Sequence, residues 1–224
     1  MEKWVKMPTG RIGDQGNPFL KKFIWQKQNK ADQVAMLIIY LVLLHHSENG
    51  VSSISYMGLQ GITGLSRAKI SAGIKLLVEN DMIEKDKSSQ KNSYKIKSYD
   101  DVPWGKTPAR GLYGKEDKTV NLLNKFTLRN KNELNALKLY YLVIAMRDSQ
   151  SNCANMSYET ITKYTGIIRN NIKSAISLLI NLGLIQLESA WNQKSDYGVA
   201  NQYRLTHVDT GKHRGTVGKN LIFN

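Results

Sequence analysis

The feature that most constrains this chain is an internal repeat. Ser55 to Glu84 aligns without gaps on Ser157 to Gln186, an offset of 102. The pairs Ser55/Ser157, Tyr56/Tyr158, Thr63/Thr165, Gly64/Gly166, Arg67/Arg169, Ile70/Ile172, Ile74/Ile176, Leu76/Leu178, Leu77/Leu179 and Ile83/Ile185 are identical. The similarity extends outward. Trp4-x-Lys6-x-Pro8 returns as Trp104-x-Lys106-x-Pro108, and Leu20-x-Lys22-Phe23 as Leu123-x-Lys125-Phe126. Tyr94 to Asp100 resembles Tyr203 to Asp209, where the offset has grown to 109. A shared order across separate blocks reads as a duplication. Its boundary lies near Asp100-Asp101, giving units at 1–101 and 102–209 and a basic tail at 210–224.

Each copy has the same grammar. A long apolar stretch comes first, Ala31 to His45 or Leu134 to Met146, and its length favours a helix. A polar turn follows, at 47–50 or 148–152. Ser55 or Ser157 then caps a short helix. Gly64 or Gly166 ends it, since glycine tolerates the left-handed conformation required there. A second helix starts near Ser66 or Ile168. It presents Ile70, Ile74 and Leu77, or Ile172, Ile176 and Leu179, to a core. Two short strands close each unit, Met82-Ile83 with Tyr94 to Ile96, and Leu184-Ile185 with Tyr203 to Leu205.

This order, carried by residues 157–185 and more loosely by 55–83, resembles the winged helix-turn-helix core of bacterial regulators and replication proteins. The first copy departs at Asn80-Asp81-Met82, where a Gly-Leu pair is usual. The expected fold is α+β, mainly α, with two tandem winged helix-turn-helix units. The resemblance implies that the second helix of each motif enters the major groove and the hairpin forms a wing.

Removing the core positions leaves Ser66, Arg67, Lys69, Ser71 and Lys75 facing outward in the first copy. The second copy leaves Arg169, Asn170, Asn171 and Lys173. Arg can bond guanine bidentately and Asn can bond adenine, while Lys and Ser suit phosphates. Lys87 and Lys91 add charge to the first wing. The second wing has only Lys194 and Arg204, beside Glu188 and Asp196. The alternative for each of these groups is a solvated helical face.

Charge points the same way. Lys and Arg number 32 against 18 acids, a formal net charge of +14, which suits a polyanionic partner. One cysteine, Cys153, excludes an intrachain disulfide and a cysteine zinc cluster, and fits a reducing cytoplasm. The longest apolar run, Val34 to Leu44, falls short of the roughly 20 residues of a membrane span. No signal core follows the N-terminus.

Other signals are weak. Gly105-Lys106-Thr107 lacks the upstream glycine of a phosphate-binding loop. His45-His46 at a helix end would favour the helix dipole, without a carboxylate cluster for metal. Cys153 falls in a loop with no histidine partner. Tyr40, Tyr140, Tyr141, Phe23 and Phe126 read as core. The expectation is therefore a non-enzymatic, sequence-specific double-stranded DNA-binding protein, without cofactor or metal. Its place is cytoplasmic, with the nucleoid or a plasmid. A transcription regulator reading an asymmetric site comes first. A plasmid or phage replication initiator and a winged-helix protein-interaction adaptor stand as alternatives. Self-association and replication or transcription proteins are further expected partners.

Overall fold

The structure, a computed structural model, describes residues 3–26, 29–86, 92–113, 125–188 and 201–208. Among these the chain is α+β, with six α-helices and three small sheets. None of these helices is long and apolar enough to cross a membrane.

Helix α1 (Lys30–His45) and helix α4 (Lys131–Met146) are the expected long apolar stretches. Most of their residues are buried on every side, so they form the centre of the molecule. Each is followed by one or two short strands and two further helices. In the first half these are β2 (Ser47–Glu48), β3 (Val51–Ser52), α2 (Tyr56–Thr63) and α3 (Arg67–Glu79). In the second half they are β7 (Cys153–Met156), α5 (Tyr158–Thr165) and α6 (Arg169–Asn181). A hairpin ends each half, β4 (Ile83–Asp86) with β5 (Ser93–Ile96), and β8 (Ile185–Glu188) with β9 (Asn201–Leu205).

The cap and stop of the first short helix are built the same way in both halves. Ser55 and Ser157 cap α2 and α5, accepting from the backbone N–H of Gly58 and Thr160. Gly64 and Gly166 end those helices at φ of 67°. Thr63 donates to the Leu59 carbonyl and accepts from the Leu65 N–H, and Thr165 does the same with Ile161 and Ile167. After the next helix, Asp81 at φ 54° occupies the left-handed position that Gly183 holds at φ 68°. The departure from the usual Gly-Leu pair therefore changes the residue but not the backbone there.

The hairpins also correspond. Tyr94 pairs with Lys85 and Ser52, and Tyr203 with Leu187 and Ala154. In each half the strand before the first short helix joins the hairpin as a third strand. Cys153 thus lies on β7, where the sequence suggested a loop, and burial pushes its thiol up to about 11.

The two halves meet along a local twofold axis. Strand β1 (Trp4–Pro8) pairs antiparallel with β6 (Trp104–Pro108). Trp4 faces Pro108, Pro8 faces Trp104, and Lys6 faces Lys106. The Trp4 and Trp104 rings stack with centroids 6.0 Å apart. Lys106 lies over Trp4 at 4.4 Å and Lys6 over Trp104 at 6.0 Å. Deeper in, Tyr40 of α1 stacks on Tyr141 of α4 at 6.3 Å. Trp4 and Trp104 match in the repeat, and Tyr40 and Tyr141 hold the same position along α1 and α4, so equivalent residues touch in two separate places, the signature of an isologous contact.

The core is continuous across residue 101. Segments that precede each long helix reach into the opposite half. The 3-10 turn Phe19–Lys22 lies against α5, and the Phe23 carbonyl accepts from buried Lys138 of α4 at 2.8 Å. In the other direction, His45 at the end of α1 donates from Nε2 to the Pro108 carbonyl and accepts at Nδ1 from the Tyr113 hydroxyl. Burial holds the His45 pKa down to about 3. A neutral ring cannot favour the helix dipole as a cation would, so the sequence expectation for this residue is corrected. The glycine of Gly105-Lys106-Thr107 sits on β6, against Ile144, and not in a loop before a helix.

Candidate nucleic-acid interface

The outward face of α3 begins at Ser66. Its hydroxyl accepts from the Lys69 N–H at 3.3 Å and so caps the helix. Ser66, Arg67, Ser71 and Lys75 are all exposed. Lys75 sits 3.7 Å from Glu79 one turn on, an exposed pair of small energetic weight. Lys69 is different. Its Nζ lies 2.7 Å from Asp32, in the first turn of α1, so its charge is engaged in docking α3 on α1. It contributes less free charge to the face than Arg67.

On α6 the matching face carries Arg169, Asn170 and Lys173, all exposed, with Asn171 half-buried. The cap position is Ile168, which makes no side-chain cap bond and is 60% exposed. An exposed isoleucine in place of Ser66 is the sharpest chemical difference between the two faces. The Asp32–Lys69 link also has no copy here. Instead Asn132 of α4 donates to the Ser174 carbonyl at 2.9 Å, while the matching acid, Glu133, accepts from the backbone N–H of Thr127 and Arg129.

One arrangement is built twice. The Arg67 guanidinium lies over the Tyr56 ring at 5.9 Å, and Arg169 over Tyr158 at 5.7 Å. Each tyrosine follows the capping serine of the preceding helix, so α2 and α5 each supply a ring that steadies the arginine opening the next helix. A cation held over a ring is worth about 0.5–1 kcal/mol at an exposed site. It also narrows the directions that the guanidinium can take. The tyrosines were legible only as repeat identities. Nothing in the sequence spacing places a residue eleven positions upstream beneath the arginine.

The hairpins differ in charge. Lys85 of β4 shares the Tyr56 ring at 5.9 Å, bringing the first hairpin beside the start of α3. Its counterpart in register opposite Tyr203 is Leu187, so at this position the second hairpin has an apolar residue in place of the cation. Lys95 is exposed, while Lys97 pairs with Glu84 at 3.0 Å. That contact holds the Glu84 carboxyl below its usual range and raises Lys97. In the second hairpin Arg204 forks onto Glu188 and also donates to the Ser151 carbonyl. It is a structural arginine. Lys87, Lys91 and Lys194, together with the tail from 209 onward, lie outside the described residues.

No protein-family model matches the chain, and no curated protein matches it either.

Proposed function

We propose that the chain is a tandem winged helix-turn-helix protein that binds double-stranded DNA sequence-specifically and has no enzymatic activity. The observation that carries this reading is the arginine over tyrosine at the first turn of α3 and again of α6. In helix-turn-helix docking, that first turn is where side chains reach base edges, and arginine is the commonest reader of guanine. A formal net charge of +14 supplies the phosphate attraction. α2 with α3, and α5 with α6, are the two motifs, and the hairpins are the wings. The units correspond to 1–101 and 102–209, each borrowing a segment from the other.

The local twofold adds an orientation. Recognition helices related by such an axis meet DNA as inverted half-sites, about one helical turn apart. The faces are unequal, so the half-sites are inverted in direction and different in sequence. The contrast is Ser66, Arg67 and Ser71 against Ile168, Arg169, Asn170 and Lys173. Cellular work as a transcription regulator fits this asymmetric reader.

The test is selection of bound fragments from random duplex DNA, followed by anisotropy titration of the selected site. Arg67→Ala and Arg169→Ala should each cost about 1–3 kcal/mol, and each should relax one half-site only. Affinity for the selected site should fall steeply with salt. Failure to enrich any sequence, or indifference of affinity to both substitutions at fixed salt, overturns the reading and favours a protein-docking role.

A further inference from the structure

Beside the local twofold lies a cavity of about 160 Å³, partly open to solvent. Its walls are mainly apolar and come from both halves, with Leu37 and Tyr40 of α1, Tyr141 of α4, and Phe19 and Met82 around them. A cavity of roughly 150 Å³ accepts a benzene-sized molecule. The space therefore suits a single ring or a short branched chain.

Two polar groups give the cavity a chemical preference. Tyr40 is 4% exposed, and among the described residues its hydroxyl has no hydrogen-bond partner. The hydroxyl is not sealed from solvent, so a ligand entering the cavity can take it as a partner. Arg11 lines the same cavity. Its Nη1 donates to the Asn80 and Asp81 carbonyls at 3.1 and 2.9 Å, and its guanidinium lies over the Phe19 ring at 4.5 Å. These contacts fix the group in place. Among the described residues, Nε and Nη2 make no hydrogen bond. Arg11 and Tyr40 thus line one cavity, and the Arg11 charge opposes the rise that burial imposes on the Tyr40 phenol. Of the other charges at the cavity, Asp81 lies 3.9 Å from Arg11 Nη1 but is 72% exposed and screened by solvent, Asp101 at the mouth is exposed as well, and Lys97 is engaged by Glu84.

We propose that this cavity binds a small single-ring carboxylate, its ring between Leu37, Phe19 and Met82, its carboxylate accepting from Arg11 and Tyr40. A guanidinium with free N–H groups and a phenol that can donate match a carboxylate better than a neutral polar group. The site does not depend on the chain binding DNA, and its test contains none.

The probe is benzoate, titrated into the full ¹⁵N-labelled chain and followed by amide shifts and calorimetry. Benzyl alcohol serves as the neutral isostere. Benzoate should bind saturably, one per chain, with a Kd of about 1 mM or tighter, shifting the amides of Leu37, Tyr40 and Met82. Benzyl alcohol should bind about 10-fold more weakly, the loss of a charge-assisted bond. Tyr40→Phe keeps the ring and should weaken benzoate by roughly 2- to 10-fold. Leu37→Phe fills the space and should abolish the shifts while the chain stays folded by circular dichroism. Absence of saturable benzoate binding to the wild-type chain overturns the proposal. So does equal affinity for benzyl alcohol, or benzoate binding that neither variant changes, which would place it on the basic surface.

Discussion

Lys138 offers a sharp energetic test of how the halves are joined. It lies in the middle of α4, is 3% exposed, and donates to the Phe23 carbonyl of the crossing segment. Its counterpart in α1, 101 residues earlier, is Leu37. Burial, aided by the nearby Lys131 charge, lowers the Lys138 pKa from 10.5 to about 8. A difference of this size between unfolded and folded chains is worth about 3 kcal/mol. The sign follows from proton counts. Below pH 8 both states hold the proton, and the folded state carries the full cost of a buried ammonium. Between pH 8 and 10.5 the unfolded chain still binds the proton while the folded chain releases it, so stability rises with pH. Lys138→Leu removes that cost and leaves the Phe23 carbonyl without this donor, which costs about 1 kcal/mol. The net at pH 7 is a gain of about 2 kcal/mol, or about 4–8 °C in Tm for a chain of this size. Urea unfolding of both chains at pH 7 and pH 10, at fixed salt, measures it. The variant should be the more stable at pH 7, and the advantage should vanish by pH 10. A difference that does not change with pH, or a variant less stable at pH 7, refutes the reasoning.

The remaining expectations concern the glycine turns, the buried histidine and the steadied arginines. Gly64→Ala and Gly166→Ala both place a side chain at φ +67°, a cost of about 1–2 kcal/mol, but only at Gly166 would the new Cβ meet Lys21, at 3.3 Å. Thermal unfolding should therefore rank Gly166→Ala as the more damaging. His45, with its pKa lowered from 6.5 to about 3, is neutral when folded and charged when unfolded across that interval. Its contribution to stability should fall as pH drops from 6.5 towards 3, and the pH slope of unfolding should flatten in His45→Gln. Tyr56→Leu should weaken binding of selected DNA by roughly 2- to 5-fold at fixed salt, the worth of one exposed cation–ring contact, with the loss confined to the half-site read by α3. An equal loss at both half-sites would count against the steadying role.

Much of the local architecture was legible because it rests on short-range rules. Serine caps, glycine stops and the three-and-four spacing of Ile70, Ile74 and Leu77 act within one or two turns, and each appears where the residues indicate. Long-range pairings were not legible. The Trp-x-Lys-x-Pro segments carry no periodic signal of a partner, yet β1 and β6 pair with each other across 100 residues. Lys69 looks like its exposed neighbours in the sequence. Only the packing of α3 on α1 brings Asp32 to it. Arg204 looks like a wing cation in the sequence, and the same limit applies, because its partner Glu188 is set by hairpin register. The tyrosines beneath Arg67 and Arg169 belong to this group too, since a ring–cation contact between successive helices depends on their crossing.

The same axis explains where the halves stay alike and where they differ. A residue on the axis meets its own counterpart, so a change on one side must suit the same position on the other. Trp4 with Trp104, Lys6 with Lys106, and Tyr40 with Tyr141 are identical pairs of this kind. The central lysines face each other directly, an arrangement that is unfavourable for like charges. Each lies over a tryptophan of the opposite strand, and Lys6 also lies over Tyr99 at 4.9 Å, which offsets the repulsion. Away from the axis no such restraint acts. Ser66 against Ile168, Ser71 against Lys173 and Lys85 against Leu187 each sit in surroundings of their own half. A homodimer cannot separate these demands, because any change to its outer face appears twice. Joining the halves in one chain keeps a symmetric joint and frees the two outer faces to carry different chemistry.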